Sequence, residues 1–539
     1  MNFFDPLEYP YLSHRQVVFS NQGMVATSQP LAAQAGLEVM QKGGNAIDAA
    51  VATAVTLTVT EPTSNGIGGD AFAIIKTQNG LYGLNSSGPA PKGINADKVK
   101  EKGYQEMPNE GWLPVTVPGA PAAWRVLSET WGKLPMQELF APGIRYAHEG
   151  FPLSPKTAEN WRNQLEKYNY LASSYPEDFA YFLETFAPHG RAPRAGELWK
   201  APDHANTLQI MADTGGEAFY KGELAEKIDS FSRKRGGFLK GEDLEKYLPQ
   251  WVDPLKVNYR GWEVWELPPN GQGLVTLMAL RLLEEYPLCR YPSQKRMHLA
   301  IEALKLAYYD GYKHITDPAW MDTSPSEMLR EKWIEARRTQ IKLNQALKVF
   351  SGKKQGGTVY LATADGEGNM VSFIQSNYRG FGSGLVVPGT GIALQNRGME
   401  FSLHPQEANY LEPGKRSFHT IMPGFLSKKG EVAAPFGLMG GYMQPQGHLQ
   451  LLINLIDLGF NPQASLDAPR WKWREGAFLE LEKSLEDNYY RDLNALGHQV
   501  EVSRDNALFG KGQIIWRNEK TGTMCGGTEP RADGAVCAW

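Results

Sequence analysis

With 539 residues, 42% of them hydrophobic and 21% charged, the chain can bury a large core and has the composition of a folded globular protein, which excludes intrinsic disorder. A formal net charge of −4 and a pI near 6.3 leave no basic surplus for a nucleic-acid partner. Met1-Asn-Phe-Phe-Asp-Pro-Leu-Glu-Tyr9 lacks a basic region followed by an apolar one, and no run of about 18 apolar residues occurs, so neither an export signal nor a membrane span is expected, and the location expected is cytoplasmic.

Residues 1–22 read as an aromatic, Pro-containing lead-in, and 24–27 as a short strand. A helix is predicted over 30–42, capped near Ser28 or Gln29 and ended by Gly43-Gly44. A second starts from Asn45, with Asp48 three residues on as in a capping box, and is apolar on nearly every face as far as Glu61-Pro62, so it must be buried. The Gly66-Ile-Gly-Gly69 turn leads into a strand over 72–76. A nucleotide-binding glycine fingerprint is excluded here, because its spacing is missing and a strand follows rather than a helix.

Between 95 and 260, amphipathic helices alternate with Pro- and Gly-rich turns, without internal repeats. Residues 261–267 read as a strand, 274–285 as a buried helix, and Ser293 as the cap of another helix. Residues 324–350 read as a long, charged, amphipathic helical region with a solvated polar face, handing over to an exposed loop over 351–357 that contains Lys353-Lys354-Gln355. Cys289, Cys525 and Cys537 are odd in number and lack C-x-x-C spacing, which reads as packed thiols.

Residues 358–364 and 370–376 are rich in β-branched and aromatic side chains, and Asp365-Gly-Glu-Gly-Asn369 between them supplies turn chemistry, so a hairpin is predicted. Centred on Glu367, it sets Ser376 opposite Thr358 on the same sheet face. Gly356-Gly357 leaves the carbonyl before Thr358 open to its hydroxyl. Attack there, followed by hydrolysis of the resulting ester, would expose a threonine whose own α-amine, titrating at about 7.7 to 8.0, serves as general base. A Thr358 that merely starts a strand is the plain alternative. Further on, a strand is predicted over 421–426. Gly437-Leu-Met-Gly-Gly441 then precedes a helix to Leu458, and its consecutive glycines offer bare N–H groups to a developing negative charge. Strands alternating with buried helices and closing on a C-terminal hairpin fit a layered α/β protein.

Seven stretches in register carry a resemblance: Gly23-Met-Val-Ala-Thr-Ser-Gln-Pro-Leu-Ala, Lys42-Gly-Gly-Asn-Ala-Ile-Asp-Ala-Ala, Glu61-Pro-Thr-Ser-Asn-Gly-Ile-Gly-Gly69, Val117-Pro-Gly, Gly440-Gly441, Asp467-Ala-Pro-Arg-Trp471 and Pro530-Arg-Ala-Asp-Gly534. With the hairpin, they resemble the γ-glutamyltransferase (glutathione hydrolase) family of N-terminal-nucleophile hydrolases over nearly the whole chain. The resemblance implies a four-layer αββα sandwich built jointly by a large segment, 1–357, and a small segment, 358–539, which remain paired as a heterodimer after cleavage between Gly357 and Thr358. It implies that Thr358 is the nucleophile, that Ser376 stands where the family has a second threonine, and that Gly440 and Gly441 are the oxyanion glycines. The substrate is then a small-molecule amide whose acyl group passes to water or an amine, with no cofactor, metal, nucleic acid or membrane involved. His419 and His448 lack further ligands at metal spacing and read as satisfied histidines.

The substrate-binding pattern departs from the family's. A γ-glutamyl group presents an ammonium, which wants a carboxylate, and a carboxylate, which wants a guanidinium fork. Glu400 stands for the family's ammonium-binding aspartate, but the family's arginine falls on Ser87 and its paired serines fall on His419 and Thr420. An asparagine expected near Ser376 is displaced to Asn377. Arg379 and Arg397 are the nearby cations that could replace the missing arginine. The loop before Lys415 is short for a lid. Three readings follow: a γ-glutamyl hydrolase or transferase; an acylase cutting another amide, such as a glutaryl, aryl or cephalosporin-type side chain; and an unprocessed pseudoenzyme.

Overall fold

The computed structural model describes residues 15–348 and 357–539. The Ala46–Thr60 helix is buried along its whole length, because Asp48 is its only charged residue and that carboxylate is used up at the N-terminus. Asp48 Oδ2 accepts from Asn45 N–H at 3.0 Å while Asn45 Oδ1 accepts from Ile47 and Asp48, completing the capping box. The preceding helix, Pro30–Gln41, is capped by Gln29.

Two seven-stranded sheets lie between helices. The first runs Ala535–Ala538, Gly23–Thr27, Gly357–Asp365, Met370–Tyr378, Asp70–Thr77, Gly80–Ser86, Gln250–Val252; the second runs Val18–Ser20, Met524–Thr528, Lys511–Asn518, Val432–Met439, Gly424–Lys428, Trp262–Glu266, Leu255–Tyr259. Alternation along each strand sorts the apolar side chains into three cores. Phe373 and Leu361 pack with Val51 and Val55 of the buried helix; Ile374 and Tyr360 pack with Phe72, Phe425 and Ile515 between the sheets; Phe436 and Leu438 pack with Leu277, Leu304 and Leu449 beyond the second sheet. This is the four-layer αββα sandwich. Both sheets take strands from either side of position 358, so the two segments are interleaved. No helix of the described residues is long and apolar enough to cross a membrane.

The long helix expected over 324–350 does not form. The described part holds only Pro325–Met328 and Glu331–Arg338, and of the latter only Ile334 is buried. Tertiary bonds take over afterwards. Leu347 N–H donates to Glu302 Oε2 at 2.7 Å and Leu347 O accepts from Lys305 Nζ at 3.0 Å, while Ala346 N–H donates to Leu496 O. Glu302 and Lys305 are fully buried and paired at 2.8 Å. At Leu347 bonds to this pair take the place of helical ones. The helix over Ser293–His314 is preceded by Pro292 at the cap position, so Ser293 is its first residue rather than its cap. The loop expected over 351–357 lies, but for Gly357, outside the described residues.

Candidate active site

The hairpin has the expected register, Val359 opposite Gln375 and Tyr360 opposite Ile374, and its turn is tied by Asp365, whose Oδ1 accepts from Asn369 N–H at 2.9 Å. The register shifts at its open end, where Gly357 pairs with Tyr378. Tyr378 has φ +74, a left-handed backbone that a bulky residue adopts at a cost of about 1–3 kcal/mol. This bulge concentrates several polar groups on one hydroxyl. Ser376 Oγ accepts from Tyr378 N–H at 2.7 Å and from Thr358 Oγ1 at 3.3 Å, and donates to the Gly357 carbonyl oxygen at 2.6 Å. Thr358 and Ser376 are 1% and 0% exposed.

Gly440 ends the Val432–Met439 strand with φ +131, and Gly441 starts a short turn into the Gln444–Leu452 helix with φ +60. Side chains are unwelcome here. A Cβ on Gly440 would meet Gly510 Cα and Met443 Cβ at 3.2 Å. Gly440, Gly357 and Thr358 share a cleft of about 380 Å³, walled also by Thr63, Gln164, Arg379, Gly510 and Lys511.

On the other side of Ser376 lies a buried polar cluster. Tyr378 and Tyr442 each donate a hydroxyl to one oxygen of Glu400. Arg397, with no exposure, lays its guanidinium 4.0 Å from the centre of the Tyr378 ring and donates through Nη1 to Thr420 Oγ1 at 2.8 Å; its Nε and Nη2 have no hydrogen-bond partner among the described residues. Burial lowers the Arg397 pKa, against the pull of Tyr378, Asp70 and Glu400. Asp70 Oδ1 accepts from Gly88 N–H, Gly119 N–H and Gln395 Nε2 at 3.0, 3.1 and 2.9 Å. Burial pushes the Asp70 carboxyl up to about 7, with Arg397 the largest opposing influence. His419 faces Asp70 Oδ2 through Nε2 at 3.1 Å while its Nδ1 accepts from Ile421 N–H, a network that puts the proton on Nε2. Burial, and then Arg397, hold His419 neutral.

The structure thus brings Thr358, Gly357 and Gly440 to one cleft, with Ser376 buried behind it and bonded to the first two, and Glu400, Thr420 and His419 to the adjoining cluster. Ser87 is tied elsewhere: its Oγ donates to Asn85 Oδ1 at 2.7 Å, its carbonyl accepts from Arg416 Nε at 3.0 Å, and it reaches His419 only through Asn270. Asn377 corrects the expectation that it would join the substrate-binding groups. Its amide packs on the helix-facing side, where a Cβ added to Gly66 or Gly69 would come within 2.9 Å of it. Strand alternation sends side chain 377 away from 376, and the bulge lets Tyr378 take the place beside Glu400.

Asp70, Tyr378 and Tyr442 were not among the residues singled out from the sequence. Asp70 directly follows the Gly66–Gly69 motif, and Tyr378 lies two along from Ser376, so adjacency and period-2 spacing were the available signals. His448 is satisfied by Glu266 Oε1 at 2.7 Å and Leu438 N–H at 3.2 Å. His298, Glu302 and His498 are near enough for a metal ion, but Lys305 already holds Glu302, and the imidazoles bond each other at 2.8 Å.

The model of the gamma-glutamyltranspeptidase family matches residues 32–539. The Glutathione hydrolase-like YwrD proenzyme of Bacillus subtilis (strain 168) is 35% identical, with 96% of this chain and 99% of the relative covered. The Oxamate amidohydrolase proenzyme of Klebsiella pneumoniae is 33% identical over the same shares. Among solved structures, cephalosporin acylase from Bacillus halodurans is similar with a TM-score of 0.96 and 53% identity, covering 100% of this chain and 99% of that one.

Proposed function

Because the chain belongs to the gamma-glutamyltranspeptidase family, and is therefore an enzyme of the hydrolase and transpeptidase type, we propose that it matures by cleavage between Gly357 and Thr358 and then cuts γ-glutamyl-type amides through a Thr358 acyl-enzyme. The observation that carries this reading is the Ser376 hydroxyl, which holds the Gly357 carbonyl and the Thr358 hydroxyl at once. Thr358 Oγ1 adds to the Gly357 carbonyl carbon, the Gly357–Thr358 C–N bond breaks, and an ester forms. Water then releases the Gly357 carboxylate and leaves Thr358 with a free amine. In the mature site that amine takes the Oγ1 proton as Oγ1 adds to the substrate carbonyl, and passes it to the departing amine. Gly440 and Gly441 N–H groups stabilise the oxyanion. Water or an acceptor amine completes the turnover. The two segments stay together because each of the two sheets is built from strands of both.

Ser376→Ala removes the donor to Gly357 and is expected to slow maturation by about tenfold to a hundredfold, read as conversion on a denaturing gel over time, with Ser376→Thr recovering most of it. A Ser376→Ala protein that matures as fast as wild type would remove Ser376 from the mechanism.

Glu400 is the group that would read a substrate ammonium. A second reading, an acylase for an acyl group without that ammonium, is favoured by the absence of arginine at Ser87 and by the tyrosine hydroxyls on both Glu400 oxygens. Release of 4-nitroaniline from γ-glutamyl and glutaryl anilides separates the two. On the γ-glutamyl reading, kcat/KM favours the γ-glutamyl anilide by about tenfold or more, and Glu400→Gln erases the preference. A preference for the glutaryl anilide establishes the acylase reading instead.

A further inference from the structure

Lys511 opens the Lys511–Asn518 strand opposite Met439, and both residues line the cleft that Thr358 and Gly440 border. Its backbone is fixed on either side. The Gly510 carbonyl accepts from Arg470 Nη1 at 3.0 Å, and Gly512 N–H donates to Glu529 Oε2 at 2.8 Å. Lys511 is only 9% exposed, yet among the described residues it forms no salt bridge. Arg379, the other cation of this cleft, forms none either, and its buried Nε has no hydrogen-bond partner. The rest of the cleft wall is uncharged. Two carboxylates lie behind it. Glu61 is buried, accepts from Ser28 Oγ at 2.5 Å and is bonded to the cleft residue Ser64; burial pushes its carboxyl up to about 7, with Lys511 the largest opposing influence. Asp533, which repels the Glu61 charge, accepts from Lys156 N–H and Thr157 N–H at 3.0 Å each. Beyond Ser376, Glu400 and Arg397 are opposite in sign, and Tyr378 and Tyr442 donate to Glu400. The charge that faces Thr358 within the cleft is therefore positive.

Cleavage before Thr358 creates an α-amine at this place, and neighbouring positive charge disfavours the protonated form of an amine. We propose that Lys511, assisted by Arg379, keeps the α-amine of mature Thr358 unprotonated, and so able to take the Oγ1 proton at a pH where an ordinary α-amine is an ammonium. This rests on the role proposed for Thr358. Lys511 acts through the amine and not on the substrate, which makes it a positioning residue for the proton transfer. A cleft of about 380 Å³ is on the order of 9 Å across, comparable with the screening length of about 8–10 Å at ordinary ionic strength, so both cations act on the amine. Burial of Thr358, which is 1% exposed, pushes the amine the same way. Removing the charge while the burial stays separates the two causes.

The test takes two readouts of mature protein at about pH 6 and pH 9. One is kcat/KM for whichever of the γ-glutamyl and glutaryl 4-nitroanilides is hydrolysed faster. The other is the rate at which 2,4-dinitrofluorobenzene, an uncharged reagent that attacks free amines, labels the terminus of segment 358–539, read by mass spectrometry of its first peptide. An α-amine of ordinary pKa retains at pH 6 about a fiftieth or less of its pH 9 reactivity. Wild-type protein is expected to retain about a tenth in both readouts. Lys511→Met, which keeps the apolar stem and removes the charge, falls towards a fiftieth, as does Lys511→Gln; Arg379→Gln falls by about twofold, and Lys511→Arg stays near a tenth. In Glu61→Gln the drop in kcat/KM towards pH 6 persists, and its loss would assign that drop to the buried carboxyl and overturn the proposal. Retention of a fiftieth or less in wild-type protein overturns it without any variant, and so does equal retention in wild type and the two neutral variants. Unlabelled, uncleaved chain would defeat the Thr358 reading itself, whereas a labelled Thr358 with ordinary pH dependence would defeat this inference alone.

Discussion

Thr358→Ala protein is expected to stay in one piece and to release no amine above background, whereas wild-type protein is expected to separate on a denaturing gel into segments 1–357 and 358–539. The loss expected in kcat/KM is about 10⁴-fold or more, because in the proposed mechanism the same hydroxyl is needed twice, for the chain's own bond and for the substrate's. The fold should survive. Thr358 lies at the open end of its strand, and the bonds that hold the hairpin, from Val359–Gln375 to Ala364–Met370, do not involve its side chain. Thermal unfolding and N-terminal sequencing check both halves. Wild-type material that never yields a terminus reading Thr-Val-Tyr-Leu would support the pseudoenzyme reading, and a Thr358→Ala protein that still matures would place the nucleophile elsewhere.

Glu529→Ala is expected to be the most destabilising of the single changes considered, by about 3–5 kcal/mol, because it strands two buried cations. Glu529 is fully buried and accepts from Arg470 Nη2 at 2.8 Å, Arg531 Nη1 at 2.5 Å and Gly512 N–H at 2.8 Å. Arg470 also donates to the carbonyls of Phe509 and Gly510, and Arg531 to Glu482, so the network shapes the Gly510–Lys511 wall of the cleft. Without Glu529 one carboxylate, Glu482, faces both arginines. Loss of soluble, cleavable protein and a lowered unfolding temperature are the readouts. Burial alone would raise the Glu529 pKa, but Arg470 and Arg531 outweigh it and hold the value below the ordinary one. The sign follows: a lowered folded pKa stabilises fully above the unfolded value of about 4.3 and is lost as pH falls through the folded value. Wild type and Glu529→Gln should therefore differ most near neutrality and converge in acid. A constant gap across that range would show that Glu529 is not ionised in the folded protein.

The motifs around Arg470 and Arg531 were legible as family marks, yet their part in this network was not. Asp467-Ala-Pro-Arg-Trp471 and Pro530-Arg-Ala-Asp-Gly534 are far apart in the chain, and the carboxylate between them, Glu529, carries no local signal of burial.

What the sequence determined by itself is what short-range geometry controls. The Asn45–Asp48 box, the all-apolar helix behind it and the register that sets Ser376 against Thr358 each depend on residues a few positions apart or on a two-residue repeat across one turn. The tertiary structure decided the rest. Asp70, the Arg397–Glu400 turn and His419 come from separate segments, and only packing shows that the Arg397 guanidinium lies on Tyr378, that Asn377 is turned to the helices, or that Leu347 is bonded to Glu302 and Lys305 instead of continuing a helix. Burial sets the charge and partners of such groups, and burial is a property of the assembled layers, which no window of sequence contains.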